Sequence, residues 1–234
     1  TVETKDFVIA VDALDEHTEE VIINLATPSN CSIGANNTLT ISIEDNNEAP
    51  TVRFTNAEDS GTEGEASQSI RVDLDGATSG KDVTVPFVFH ASSTTENEGA
   101  DIDHDLEAGT VTIDAGDPHV DITFDMVDDA TYEIDELMII ELGVQDDIVN
   151  ATRSSDDFRH TFTIQSLDAA PTVYFTLAED ELTETEDSFA GALNVTLSAK
   201  SGVVASFYVT AADVTATSDD YEVSEDVAIT IAAG

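Results

Sequence analysis

Five carboxylates lie within eleven residues, between two apolar stretches, in the segment Val127-Asp128-Asp129-Ala130-Thr131-Tyr132-Glu133-Ile134-Asp135-Glu136-Leu137. Residues 120–126 alternate apolar and polar side chains as a β-strand does, and residues 137–142 form a second apolar run. The acidic segment is therefore predicted to be a loop between two strands. Crowded carboxylates repel one another unless a cation lies among them, so this loop is a candidate calcium site.

Composition limits the functions that the chain can have. The 234 residues include 50 acidic and 7 basic side chains, for a formal charge of −43. Such a charge repels phosphate and anionic lipid, so neither nucleic acid nor a membrane surface is expected as a partner. It favours divalent cations or a high-salt setting. The 41% of hydrophobic residues lie in regular short runs, which argues against a disordered chain.

Other functional signals in the sequence are weak. Cys31 is the only cysteine, so no intrachain disulfide can form, and no apolar run approaches the roughly 20 residues of a membrane span. The five histidines have no paired metal spacing, which disfavours zinc, and His104 is interpreted as a surface histidine. Residues 101–105 begin like an EF-hand, but Leu106 stands where that loop needs glycine. No catalytic motif is found, so the chain is predicted not to be an enzyme.

The sequence repeats itself with a period near half its length. Residues 49–55 recur as residues 170–176, and the acidic loop has a counterpart in which Asp12, Glu16 and Glu19 match Asp129, Glu133 and Glu136. The predicted division is the C-terminal half of one repeat in residues 1–49, a complete repeat in 50–170, and the N-terminal half of a third in 171–234. A chain that begins and ends in the middle of a repeat is expected of an excerpt from a longer tandem array.

Within the complete repeat, seven short strands are predicted from alternating apolar residues bounded by turn residues. They are A (Thr51–Thr55), B (Ser69–Leu74), C (Val83–His90), D (Thr110–Ile113), E (Val120–Val127), F (Leu137–Val144) and G (Phe158–Gln165). No segment has sustained helical periodicity. The prediction is an all-β protein of tandem, seven-stranded, antiparallel, immunoglobulin-like β-sandwiches.

If these strands run alternately up and down, the A–B, C–D and E–F loops and the exit from strand G lie at one end of the sandwich. The acidic residues concentrate in those segments, whereas the loops at the other end, residues 75–81 and 114–118, are much less acidic. The acids are therefore expected to converge on cations at the end that faces the next repeat. The alternative, that they merely solubilise a halophilic surface, stays open at this stage.

These motifs resemble the Calx-β domain, the repeat found in the regulatory region of the sodium–calcium exchanger and in large bacterial surface adhesins. The E–F loop Asp128–Glu136 fits the family pattern Asp-Asp-x-x-aromatic-Glu-x-x-Glu, and Glu63 and Glu184 match the family's glutamate in the A–B loop. Residues 218–221 lack only the glycine of the family's Gly-x-Asp-Tyr motif. The first repeat departs from the pattern, since Val11 and Asp15 replace the first aspartate and the aromatic residue.

The resemblance implies Ca²⁺ as the bound ion, with ligands from the A–B, C–D and E–F loops and from the segment after strand G. Either Asp101 or Asp103 would serve in the C–D loop. Carried over to this sequence, the implied ligands are Glu63, Asp101, Asp103, Asp128, Asp129, Glu133, Glu136 and Asp168 in the complete repeat, Asp12, Glu16, Glu19 and Asp45 in the first, and Glu184 and Asp220 in the third. Calcium accepts six to eight oxygen ligands in flexible geometry, whereas magnesium is stricter.

The expected function is that of a calcium-binding structural repeat in a long extracellular, cell-surface protein, an adhesin or filament concerned with cell adhesion. Its expected partners are calcium ions and neighbouring repeats of the same polypeptide. Calcium would rigidify the junctions between repeats. The half-repeats could also complete each other between molecules and so form a filament. The alternative is a regulatory calcium-sensor domain of a membrane transporter.

Overall fold

The computed structural model describes residues 2–76, 78–95, 102–176, 194–212, 214–216, 220–221 and 228–234. In these ranges the regular structure is β-strand except for one 3-10 turn, Gln145–Asp147, which confirms the predicted all-β class. No helix in this part of the chain has the length and apolar character needed to cross a membrane.

Nineteen strands lie within the described residues, and β4 to β14 belong to the central part of the chain. They are β1 (Leu14–Asp15), β2 (Glu19–Asn24), β3 (Thr38–Ile43), β4 (Thr51–Phe54), β5 (Glu58–Thr62), β6 (Gln68–Asp75), β7 (Thr78–Ser79), β8 (Val83–Phe89), β9 (Gly109–Ile113), β10 (His119–Phe124), β11 (Thr131–Tyr132), β12 (Glu136–Leu142), β13 (Thr152–Arg153), β14 (Arg159–Gln165), β15 (Val173–Phe175), β16 (Val195–Leu197), β17 (Lys200–Ser201), β18 (Ala205–Phe207) and β19 (Ile229–Ile231).

The central strands form a sandwich of two sheets. One sheet has the order β10-β6-β4-β13 and the other has the order β5-β14-β12-β8-β9, with antiparallel pairing throughout except for β13 on β4 and β5 on β14. Alternate side chains of each long strand point inward, as Ile70 and Val72 do on β6 and Met138 and Ile140 do on β12. The core lies between the two sheets, and the predicted immunoglobulin-like sandwich is confirmed.

The first strand of the sandwich is divided between the two sheets. Strand β4 pairs with β6 in one sheet, and after a short crossing β5 pairs in parallel with β14 in the other. The sequence analysis placed β5 in the A–B loop, because Glu58–Thr62 has no apolar alternation. Its main-chain hydrogen bonds to the edge of β14, rather than its side chains, make it a strand.

The flanking segments form two-stranded pairs. Strands β2 and β3 make a hairpin in which Glu19 lies opposite Ile43, and β15–β16 and β18–β19 pair in the same antiparallel manner. Apolar side chains on these pairs are exposed, with Ile22 at 59% and Leu39 at 57%. The division of the chain into two half-repeats and one complete repeat stays a prediction.

Candidate metal centre

Strand pairing brings the A–B loop and the strand-G exit together. Because β5 and β14 are parallel, both strands leave their sheet at the same end, where Glu63 and Leu167 follow them. The Glu63 N–H donates to the carbonyl of Gln165 (3.1 Å), and the Leu167 N–H donates to Glu63 Oε2 (3.1 Å). The glutamate side chain is thus fixed against the segment that leads to the next repeat.

Three carboxylates meet at this point and form what is called site 1 below. Oxygens of Glu63, Asp128 and Asp168 lie within 4.8 Å of one another. Glu63 is only 6% exposed, and Asp168 Oδ2 is buried without a hydrogen-bond partner. Gly64 lets the loops approach closely: its φ is +75°, and a Cβ on it would lie 3.0 Å from Asp128 Cβ. Any other residue there would be strained.

The charges at site 1 are mutually unfavourable without a cation. Burial raises the pKa of the Glu63 carboxyl above its ordinary value, and Asp168 and Asp129 raise this pKa further. The hydrogen bonds from the Leu167 N–H and from Ser166 act in the opposite direction but do not cancel the rise. A positive charge among these oxygens would favour the ionised form.

A second group, called site 2 below, consists of Asp103, Glu133 and Glu136, whose oxygens also lie within 4.8 Å of one another. The C–D loop reaches the E–F loop through main-chain hydrogen bonds, in which the Val127 N–H donates to the Asp103 carbonyl (2.9 Å) and the Asp105 N–H to the Asp125 carbonyl (3.1 Å). These bonds bury Asp103, which is 8% exposed. Site 2 therefore joins two loops that are distant in sequence.

Six of the fourteen predicted ligands thus lie in the two sites: Glu63, Asp128 and Asp168 in site 1, and Asp103, Glu133 and Glu136 in site 2. Asp129 belongs to neither group, and its Oδ1 accepts the Thr131 N–H (2.6 Å). Asp220 is exposed and lies in neither group. Asp101 and Glu184 lie outside the described residues. Asp103 belongs to site 2, and the choice between Asp101 and Asp103 as the C–D loop ligand stays open.

The acids of the first repeat are near one another but form no comparable group of three. The Glu16 N–H donates to Asp45 Oδ2 (2.8 Å), and burial followed by Asp12, Glu19 and Asp45 raises the pKa of Glu16. Asp12 Oδ1 accepts the Leu14 N–H (3.0 Å). Asp12 thus accepts from the backbone of its own loop and Asp45 from that of another, and the two groups within the described residues are sites 1 and 2.

The interpretation of His104 as a surface histidine is wrong. The residue is 1% exposed, its ring stacks on that of Phe89 (centroids 5.5 Å apart), and its Nε2 lies 3.1 Å from Thr95 Oγ1. Burial lowers the pKa of this imidazole below its ordinary value. A single β-bridge between His104 and Met126 turns the side chain inward, and nothing in the acidic sequence around it signals this.

Two residues that the sequence pattern did not single out shape site 1. Ser166 hydrogen-bonds to Glu63, and Gly64 supplies the positive φ that its approach to Asp128 requires. A glycine directly after a candidate ligand in an acidic loop is the available signal for the second of these. No comparable signal exists for Ser166, since serine is common in loops.

Both sites fit a hard divalent cation. Their donors are carboxylate oxygens only, which suits calcium and not zinc. The unpartnered Asp168 Oδ2 and the buried Glu63 are polar groups that the protein itself leaves incompletely satisfied. Such groups are costly in a folded protein unless a further partner binds them.

No family model matches the sequence, and no curated protein matches it. Solved structures with a similar fold include the apo-form Calx CBD1 domain (16% identity over 51% of this chain and 98% of that chain, TM-score 0.41) and the calcium binding domain CBD12 of CALX1.1 (20%, 78% and 70%, TM-score 0.42). The Calx CBD2 domain is another (14% identity, 50% and 86%, TM-score 0.39). The predicted resemblance to Calx-β domains is confirmed, and at these identities it concerns the fold.

Proposed function

We propose that this chain is a calcium-binding structural segment of a long extracellular surface protein, in which calcium stiffens the junctions between consecutive sandwiches. The observation that carries the proposal is site 1, where three separate segments bring Glu63, Asp128 and Asp168 together. One of these segments is the exit toward the following repeat. A cation held there joins the exit to the body of the sandwich.

The position of Asp168 makes this effect local to the junction. Asp168 is followed by Ala169, Ala170 and Pro171, after which β15 begins at Val173. Proline fixes its own φ, so holding Asp168 confines the free torsions to the few residues between Asp168 and β15. Binding of Asp168 together with Glu63 and Asp128 would remove most of the remaining freedom of the hinge.

Site 2 adds a second constraint of the same kind. A cation between the C–D and E–F loops would be held by Asp103, Glu133 and Glu136. It would lie beside β11, the short strand that pairs with β17 of the following repeat. When bound, calcium supplies positive charge that offsets the repulsion among the carboxylates. The protein residues supply the oxygens and hold them in place.

The role proposed for the whole protein is that of a non-enzymatic spacer in an adhesin or filament at the cell surface. The charge of −43 supports this setting, since a strongly acidic protein stays soluble where calcium and salt are abundant. A full-length sequence with flanking membrane spans would instead favour the sensor of a transporter.

Self-association into filaments stays a prediction. It is supported by the exposed apolar side chains of the flanking strands, which include Ile22, Leu39, Tyr174 and Ile229. A second copy would cover them if its complementary half-repeat paired with this one. Sedimentation equilibrium at rising protein concentration tests the idea, and a strictly monomeric mass at high concentration would reject it.

The test of calcium-dependent stiffening combines small-angle scattering with thermal melting, in calcium and in chelator at moderate salt. We expect calcium to increase the maximum dimension obtained from scattering and to raise the melting midpoint. A ligand at about a hundred times its Kd stabilises the folded state by about 2.7 kcal/mol. Magnesium at the same ionic strength controls for screening.

Variants identify the residues responsible. Asp168→Asn should remove most of the calcium effect on the scattering profile, while Asp117→Asn, an exposed position in the loop between β9 and β10, should leave it unchanged. If calcium alters neither scattering nor melting in the wild-type protein, the proposed function is wrong.

A further inference from the structure

Two contacts of the same geometry join the repeats. Strand β1 pairs in parallel with β7, with Asp15 opposite Ser79, and β11 pairs in parallel with β17, with Tyr132 opposite Ser201. The Gly80 N–H donates to the Asp15 carbonyl (2.9 Å), and the Gly202 N–H donates to the Tyr132 carbonyl (2.8 Å). In each case the E–F loop of one repeat meets a Ser-Gly turn of the next.

Each Ser-Gly turn is held by its own repeat. Ser79 Oγ accepts the Lys81 N–H (3.0 Å) and the Ser79 carbonyl accepts the Gly116 N–H (2.8 Å). In the later turn Ser201 Oγ accepts the Val203 N–H (3.3 Å), and the Ser201 carbonyl accepts the N–H of Gly234 (3.0 Å). Ser79 and Ser201 are 1% and 3% exposed. Hydrogen bonds within each repeat therefore hold both turns in the conformation that meets the preceding E–F loop.

The glycine of each turn lies directly against a predicted ligand of the preceding repeat. A Cβ built on Gly202 would lie 2.5 Å from Glu133 Oε1 and 2.8 Å from its Cγ, and one built on Gly80 would lie 2.8 Å from Glu16 Cγ. Glu16 and Glu133 are themselves counterparts in the repeat. A side chain on either glycine would force the glutamate to move.

We propose that the Ser-Gly turn of each repeat is a docking element for the E–F loop of the repeat before it, and that it positions the acidic side chain there, Glu133 or Glu16, for the cation. The partner of the E–F loop is thus the turn of the next repeat. Docking follows from the contacts alone, whereas the positioning of Glu133 rests on the proposed calcium function.

Docking is tested in chelator, so that its outcome does not depend on any cation. Spin labels on the exposed Cys31 and on Asp117→Cys report the distance between the first repeat and the sandwich. Lys81→Asp places a like charge beside Asp15, which Lys81 contacts at 2.8 Å, and should broaden the distance distribution. The double variant Asp15→Lys with Lys81→Asp should narrow it again. An equally narrow distribution in Lys81→Asp alone would overturn docking.

Positioning is tested by calcium titration calorimetry on Gly202→Ala, with Gly34→Ala as the matched control because nothing lies within 4 Å of a Cβ at that position. Displacing Glu133 should weaken the affected site by roughly tenfold, as changes beside metal ligands commonly do, and the control should bind as the wild type does. Equal binding by Gly202→Ala and wild type would overturn positioning and leave the proposed function intact. Failure of the wild type to bind calcium would overturn both.

Discussion

Lys81 Nζ lies 2.8 Å from Asp15 Oδ1, although the two residues are 66 positions apart in the chain. The side chains are 14% and 7% exposed, so the pair lies largely out of water at the contact between the first repeat and the sandwich. Asp15 Oδ2 has no hydrogen-bond partner. Lys81 is one of only 7 basic residues in the chain, and it is placed where one acidic residue is buried.

Replacing Lys81 by methionine should destabilise the protein by about 2 kcal/mol, because it leaves the buried Asp15 carboxylate without its partner. Urea unfolding followed by circular dichroism measures the change. The double variant Asp15→Tyr with Lys81→Val copies the residues found at the second contact, Tyr132 and Val203, and should recover most of the loss. If Lys81→Met is as stable as wild type, the ion pair contributes nothing to the junction.

Most of the sandwich could be predicted because its strands carry a period of two. Ile70, Val72 and Leu74 alternate with polar residues, and the predicted strand Ser69–Leu74 is found as Gln68–Asp75. Strands C and F shift at their ends by only one or two residues. A strand with one buried face alternates apolar and polar residues, and this alternation can be recognised without knowing the partner strand.

Features set by backbone contacts or by distant partners could not be predicted. Strand β5 exists through its hydrogen bonds to β14, and Lys81 contacts Asp15, which is 66 positions away in the chain. A signal for the docking turn was present, since Ser79-Gly80 recurs as Ser201-Gly202. It lies in loops with few acids, so it carries no signature of a metal site.

The candidate metal sites could also be predicted only in part. Strand direction alone predicts that the A–B, C–D and E–F loops and the strand-G exit share one end, and the structure places Glu63, Asp103, Asp128 and Asp168 there. The sequence could not tell which carboxylates remain available for a cation. Asp129 looks identical to Asp128 in the motif, yet Asp128 lies in site 1 and Asp129 lies in neither site.

Glu63→Gln should have opposite effects in chelator and in calcium. Without a cation, the amide replaces a carboxylate whose ionisation is opposed by burial and by Asp168, so the melting midpoint should rise by about 3 °C. With calcium, the variant lacks one charged ligand, and the rise in midpoint that calcium causes should largely disappear. Scanning calorimetry in both conditions measures the two effects.

Glu65→Gln is the matched control for this prediction. Glu65 lies in the same loop but is exposed and belongs to neither site. Its replacement should leave both midpoints close to the wild-type values. A calcium-induced rise that survives in Glu63→Gln would show that site 1 is not where the cation acts.

Ile140→Ala should destabilise the sandwich by about 3 kcal/mol, because Ile140 is fully buried on β12 between β14 and β8 and its truncation leaves a cavity. Ile22→Ala removes the same atoms from a side chain that is 59% exposed, and should change stability by less than about 0.5 kcal/mol. Urea unfolding compares them. Equal losses would mean that Ile22 is covered in solution, as pairing of the flanking strands between copies requires.

The acid sensitivity of the fold should depend on His160. This residue is 1% exposed, its Nδ1 lies 2.8 Å from the Asn56 carbonyl oxygen, and its ring packs against Phe54. Its Nε2 is buried without a hydrogen-bond partner, and Asp59 Oδ2 lies 3.8 Å away. Burial lowers the pKa of His160 below the ordinary 6.5, despite the opposing effect of the Asn56 contact and Asp59.

Since the unfolded chain binds the proton more readily than the folded one, the contribution of His160 to stability is complete above about pH 6.5 and is lost as the pH falls below it. His160→Gln should lower the unfolding free energy near neutral pH, because the ring that packs against Phe54 is lost. It should also reduce the further fall between about pH 6.5 and pH 5, because the titrating group is gone. His17→Gln, at an exposed position, should keep the wild-type slope. The raised pKa of Glu63 acts with the opposite sign but is common to all three proteins, so it cancels in the comparison. An unchanged slope in His160→Gln would show that the folded and unfolded chains bind the His160 proton equally, so that burial does not lower this pKa.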